Sequence, residues 1–258
     1  RVPLLAYNRD LVPDQPQSLE QVLDSANKIS KGQGIGLAGD VSSPFLNGQV
    51  YSGYGGQIFA SDQKPNLNSS ESVAFLQEVA ALAGVKAGIY DSSASMAMLG
   101  GGATPFALFD SGELNAYKGL GKNLGYTAIP GPGGKEAKAY VQAEGFAISA
   151  NCNFPKQAVA AAVYLTSQQA LAKYSVPQGE FPADPTAYEQ SPLKDDGVAQ
   201  TVKHLATLGS GYPLDSRSKL ILPLLSQAIK DVLNGTNPND AAQNAQNQAL
   251  KALGVEQP

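Results

Sequence analysis

Val2-Pro3-Leu4-Leu5-Ala6-Tyr7-Asn8-Arg9-Asp10-Leu11-Val12-Pro13, followed by Ser18-Leu19-Glu20-Gln21-Val22, is the stretch from which the rest of the chain is read. Its apolar half has the length and residue types of a strand, and Pro13 and Pro16 close a turn behind it. Ser18 and Gln21 then stand at the S-x-x-Q spacing of a capping box, so a helix opens there. The chain thus starts inside a strand, with no preamble.

Outward from that point, Leu19, Val22, Leu23, Ala26 and Ile29 recur at the spacing of a half-buried helix, which Gly32 ends. Gly34 to Gly39 reads as a short glycine-rich strand. Ser43-Pro44 opens a second helix to Phe59, broken or closely packed because it holds Gly48, Gly53, Gly55 and Gly56. Residues 62–68 form a polar turn. The spacing predicts a helix over 70–82 with Gly84 at its C-terminal cap, and another capped by Asp91 or Ser92 and stopped by Gly100-Gly101-Gly102. A strand over 104–110, a short helix over 111–118, a strand over 126–130, a turn at Gly131-Pro132-Gly133-Gly134 and a strand over 139–149 continue a wound α/β order. Helices over 156–166, capped by Asn153, and over 167–174 follow. A proline-rich linker or hinge over 176–192 separates them from helices over 195–208, 213–233 and 238–253.

Composition narrows the function. With 258 residues, 43% of them hydrophobic, the chain can bury a sizeable core; 16% charged residues and a net charge of −4 leave no basic surface for nucleic acid or an anionic membrane. Cys152 is the single cysteine, which excludes an internal disulfide and a cysteine-based zinc site. No apolar run is long enough to span a bilayer. Nothing at Arg1 reads as a signal peptide, so the chain is expected to be mature, engineered or truncated.

The succession of segments resembles the family 1 extracellular solute-binding proteins, the maltose-binding-protein-like family. Carrying the likeness are Tyr7-Asn8-Arg9-Asp10-Leu11 with Ser18-Leu19-Glu20, Ser43-Pro44-Phe45, Met98 to Phe109, Leu124-Gly125-Tyr126 to Pro130, and Gly145-Phe146-Ala147-Ile148-Ser149. Lys156 to Tyr174 and Gly235-Thr236-Asn237-Pro238-Asn239-Asp240-Ala241 complete it. No one of these is specific; their order over nearly the whole chain carries the resemblance. It implies an α/β, periplasmic-binding-protein-like (type II) fold, with residues 1–143 and 184–258 as the second of two lobes. Residues 144–183 would be a helical remnant of the first lobe and the hinge, the N-terminal part of that lobe being absent. Such a remnant would expose an apolar face and invite a homodimer, domain-swapped or otherwise.

The resemblance also implies a function: capture of a sugar or oligosaccharide by lobe closure, as the substrate-binding component of an ABC transporter that docks on a membrane permease. The setting would be the periplasm or the outside of the cell, including a surface lipoprotein, with no catalysis, cofactor, metal or nucleic acid. The alternative is a dimerising structural fragment without a ligand. Family positions that supply the cleft map onto Phe45, Tyr90, Asp110, Ser111, Glu113, Tyr212 and Arg217: aromatic faces for the C–H patches of sugar rings, carboxylates and a guanidinium for their hydroxyls. Phe45 and Tyr90 equally suit a core, and Asp110 a helix cap. The chain departs from maltodextrin-binding members in having no tryptophan, with Glu113 and Leu222 where those members place one. Maltose specificity is therefore in doubt.

Two glycine motifs look like nucleotide sites and fail the context test. Gly34-x-Gly36-x-x-Gly39 follows a helix rather than a strand, and Gly131 to Lys135 lacks the spacing and the hydroxyl residue of a phosphate loop. His204, the only histidine, reads as a helix-surface residue, and Cys152 as an inert one. Nothing resembles a nucleophile elbow.

Overall fold

A computed structural model describes residues 1–31 and 34–255. Its centre is the opening stretch. Strand β1 (Pro3–Asn8) lies between β2 (Phe106–Asp110) and β3 (Leu124–Thr127), antiparallel to both, in the order β2-β1-β3. Leu5 stands opposite Leu108 on one side and Thr127 on the other. A strand walled by neighbours on both edges and helices on both faces reads as a continuous apolar run, which is why β1 shows no polar alternation. All six of its residues are buried.

The period of two survives in what each residue touches. Leu5 and Tyr7, with Phe106 and Leu108, face the larger core. That core is filled by α1 (Leu19–Lys31), α2 (Gly48–Gly53) and α3 (Ser70–Gly84). Leu4 and Ala6, with Ala107 and Phe109, face the smaller core, under α4 (Ser92–Gly100) and α5 (Leu114–Lys118). The chain next forms α6 (Pro155–Leu165), α7 (Gln168–Ala170) and α8 (Gly197–Leu208); α8 closes the smaller core through Val202 and Leu205. Finally α9 (Ser218–Leu233) and α10 (Pro238–Ala252) cover the larger one. The alanines of α10 permit close approach to α9. Its Gln246 reaches back to accept from the Leu67 N–H at 2.8 Å and donate to the Pro65 carbonyl at 2.9 Å.

Several sequence expectations are corrected. The helix expected over 44–59 is only α2, because the glycines leave the flanks as turns. The strand expected over 34–39 is reduced to a bridge between Ala38 and Ala107. After α3 the left-handed residue is Lys86 rather than Gly84, which remains in the helix. The third strand is Leu124–Thr127 rather than 126–130, and the N-cap position of α6 is Phe154, which makes no side-chain cap, so Asn153 does not serve. The expected second helix over 167–174 is α7 followed by a π-helical turn at Leu171–Ser175. The proline-rich stretch is no free linker: three short 3-10 turns fold it so that Tyr188 and Leu193 pack on Ala199. Gly32, the expected end of the first helix, lies outside the described residues.

The long strand expected over 139–149 shrinks to β4 (Tyr140–Val141), which pairs parallel with β5 (Ser210–Gly211). Beyond β4 the chain runs irregularly into α6, which has no buried residue. Phe146 and Val163 are 63% and 65% exposed, and Ile148, Phe154, Val159, Tyr164 and Leu165 stand out of the protein with them. At the root of this outlying segment Arg1, Gln142 and Glu180 meet. The Gln142 N–H donates to the Arg1 carbonyl at 2.9 Å, and the Arg1 guanidinium lies 3.0 Å from Glu144 and 3.6 Å from Glu180.

Candidate functional site

One edge of the sheet gathers most of the candidate residues. β2 ends there at Asp110, opposite Pro3 where β1 begins. Ala38 runs parallel to Ala107, so Gly39 and Asp40 emerge at the same edge, and Asp40 pairs with Ile89, which brings Tyr90 alongside. β4 and β5 pass next to Arg1 and deliver Tyr140 and Tyr212. Loops gathered where strands of an α/β sheet end are where such folds bind ligands.

The acidic turn is built by its own hydrogen bonds. Asp110 accepts from the Gly112 N–H at 2.8 Å. Ser111 is fully buried: its hydroxyl accepts the Val2 N–H at 3.0 Å and its own N–H donates to the Val2 carbonyl, so it pins the turn to β1. Glu113 accepts from the Ser92 hydroxyl, which ties the turn to the start of α4. A Cβ added to Gly112 would sit 3.0 Å from the Arg1 Nε, so the guanidinium lies directly on this turn. Tyr90 is half-buried, donating its N–H to Gly39 at 3.0 Å, with its ring packed on Gly88.

The aromatic candidates form a chain. Phe45 is 7% exposed, and Tyr212 meets it edge to face at 5.6 Å. Tyr212 also meets Tyr140, again edge to face, at 5.5 Å. Burial holds both tyrosine hydroxyls above their ordinary range, Tyr140 at about 12, so at neutral pH both are protonated and can donate as well as accept. Sequence reasoning passed over Tyr140; its only signal was an aromatic at the start of a stretch read as strand.

Arg217 is the candidate that the fold takes elsewhere. Its guanidinium stacks on Phe59 at 4.5 Å and donates to the Gln63 carbonyl. Next to it Asp215 accepts from the Ser218 hydroxyl and from the N–H groups of Ser218 and Arg217, both at 3.0 Å. The Ser218 hydroxyl bond first, then these backbone bonds, hold the Asp215 carboxyl below its usual range. A carboxyl whose pKa is lower folded than unfolded contributes stability above the unfolded value and loses it as pH falls through the folded one. Asp215→Asn is thus expected to flatten the acid limb of a stability-against-pH curve while leaving its neutral shape unchanged; chemical denaturation from pH 7 to pH 3 measures this.

Among the described residues no group of histidine, cysteine and carboxylate side chains is placed to hold a metal ion. His204 is exposed on α8 and bonds to Glu136. Among the described residues no helix is long and apolar enough to cross a membrane.

The chain is an α/β protein of the type II periplasmic-binding fold, and solved structures of that class superpose on it. The maltose/maltodextrin-binding domain MalE from Bdellovibrio bacteriovorus, bound to maltotriose, matches 98% of this chain and 70% of its own, with a TM-score of 0.82 and 20% identity. The extracellular solute-binding protein from Staphylococcus aureus in complex with maltose matches 100% of this chain and 70% of its own, at 0.81 and 22%. The Thermus thermophilus maltotriose-binding protein matches 98% and 70%, at 0.78 and 21%. At these identities the likeness speaks to the fold. Residues 2–201 match the family model described as bacterial extracellular solute-binding protein, and the chain belongs to that family. No curated protein matches it.

Proposed function

We propose that the chain is the sugar-binding component of an ABC importer, working in the periplasm or at the outer cell surface and handing its ligand to a membrane permease. Residues 1–143 and 184–258 act as the second lobe, and 144–183 as the hinge and a helical part of the first. The observation that carries the reading is the convergence, at one sheet edge, of the Tyr140–Tyr212 pair with the Asp110–Glu113 turn, flat apolar rings beside hydroxyl-binding carboxylates. Family membership and neighbours solved with maltose and maltotriose support it. The ligand set is Tyr90, Asp110, Glu113 and Tyr212, with Phe45 and Ser111 behind them; Arg217, stacked on Phe59, is left out of it. With no tryptophan in the chain, stacking falls to tyrosine, which favours a small or weakly held sugar.

The test is thermal denaturation with maltose, maltotriose, other neutral sugars and non-sugar polar solutes. A ligand at a hundredfold excess over its Kd adds about 2.7 kcal/mol to the native state, a Tm rise of roughly 5–10 °C for a chain of this size. Tyr212→Ala is expected to lower affinity for the stabilising sugar by roughly tenfold, beyond any fall in the unliganded Tm from losing its two aromatic contacts. A panel in which no sugar raises Tm overturns the reading.

A second reading, self-association, is favoured by the segment around α6. Its seven exposed apolar side chains present on the order of 800 Å², the share one partner gives to a standard-size interface. Residues 145–165 carry a single charged side chain, Lys156, so two copies do not repel across it. The expected result is a concentration-dependent dimer in sedimentation velocity, abolished by Phe146→Glu with Val163→Lys. A monomer at all concentrations overturns it.

A further inference from the structure

We propose that Tyr140 is a positioning residue for sugar binding: it sets the orientation of the Tyr212 ring, and Gly48 is glycine so that it can. The inference rests on the reading of Tyr212 as a stacking surface and adds a residue that contacts the ligand only through another. Tyr212 is held by β4 in two ways. Its N–H donates to the Val141 carbonyl at 2.7 Å, and its ring packs edge to face on the neighbouring Tyr140 at 5.5 Å. The ring also meets Phe45 edge to face at 5.6 Å, so two aromatic neighbours bear on Tyr212.

Tyr140 is itself seated on backbone. A Cβ added at Gly48 would lie 2.4 Å from its Cδ2 and 3.1 Å from its Cγ and Cε2, well inside contact distance. Phe45 and Gly48 belong to one turn, since the Gly48 N–H donates to the Phe45 carbonyl at 3.2 Å. The four residues therefore close a ring: Gly48 supports Tyr140, Tyr140 supports Tyr212, and Tyr212 leans on Phe45 beside Gly48. Because β4 and β5 lie at the root of the outlying 142–180 segment, these contacts join the proposed stacking surface to the passages of chain that lead into that segment. A ring held in its bound orientation beforehand loses less freedom when ligand arrives.

The experiment is calorimetric titration of the full chain with maltotriose, or with the tightest sugar from the thermal panel, alongside NMR of the tyrosine rings. Tyr140→Ala is expected to weaken binding roughly two- to twelvefold, the range an aromatic pair spans, while Tyr140→Phe, which keeps the ring, binds as the parent does. Gly48→Ala displaces Tyr140 and weakens binding similarly; the double variant Gly48→Ala with Tyr140→Ala is expected to be no worse than Tyr140→Ala alone. The Tyr212 ring resonances are expected to shift in Tyr140→Ala and to stay in Tyr140→Phe, whether or not a sugar binds. Parental affinity in Tyr140→Ala, multiplicative effects in the double variant, or unmoved Tyr212 resonances overturn the proposal. A parent that binds no sugar but shows the resonance shift overturns the function and leaves the positioning of Tyr212 by Tyr140 standing.

Discussion

Leu4→Ala is expected to destabilise the protein by about 3–4 kcal/mol, the middle of the range for a buried leucine truncation. Leu4 is wholly buried in the central strand, opposite Phe109, in a core shared with Leu99, Tyr117 and Leu205. Strands on both sides and helices on this face hold the backbone, so the space left by the isobutyl group collapses little, and the cavity adds its cost to the lost transfer energy. The control is Val163→Ala, an apolar truncation on α6 at a site 65% exposed, expected to change stability by less than ~0.5 kcal/mol. Urea denaturation of both variants decides the matter. Similar midpoints for the two would mean that the opening stretch is not the centre of the core.

Gly36→Val is expected to cost about 3 kcal/mol or more and to leave no change in any response to nucleotide. A Cβ at Gly36 would stand 2.4 Å from the Val85 carbonyl oxygen and 2.9 Å from the Ala26 Cβ, so the clash is with backbone and a packed helix rather than a yielding side-chain tip. The Gly36 N–H donates to that same carbonyl at 2.9 Å, and Ala38 bonds to both Phe106 and Leu108. Gly39, at φ +123° and tight against Leu108, completes the reason for the spacing. The glycines let the segment press between α1, the end of α3 and β2, which is close packing and no phosphate cradle. Stabilisation of the parent by a nucleotide, lost in Gly36→Val, would reverse this assignment.

These two residues show what could be read without coordinates. The strand nature of Val2 to Tyr7, and the helix behind Ser18, followed from local patterns, and the Ser18 hydroxyl does accept the Gln21 N–H at 3.3 Å. What local pattern withheld was position: a run buried on both faces has no alternation, and that silence is itself the mark of a central strand. Elements that depend on partners far along the chain were misjudged. Gly145 to Ser149 has strand composition but no neighbouring strand, and so runs irregularly. The prolines of 176–192 read as punctuation, while Tyr188 folded them into a small core through its buried ring.

In the candidate site the strand end at Asp110 was legible from the apolar run before it, whereas Tyr90 was reached only through the family resemblance. The grouping was not. Arg217 sits only five residues beyond Tyr212, yet the turn made by Asp215 carries it to Phe59. Tyr140 comes from a segment more than seventy residues from Tyr212 and was found only once β4 and β5 were seen to pair.

The separation along the chain between β1 and its two flanking strands bears on how the molecule comes to exist at all. Its pairings span about a hundred residues to β2 and somewhat more to β3. At synthesis rates of ~5–20 residues per second the ribosome needs roughly 6–24 s to make the sequence from β1 to the end of β3. For that interval Val2 to Tyr7 lacks both of its flanking strands. Closure of the sheet is thus a late, non-local step, of the kind that slows folding because the chain must be brought together over a long loop before the pairing forms.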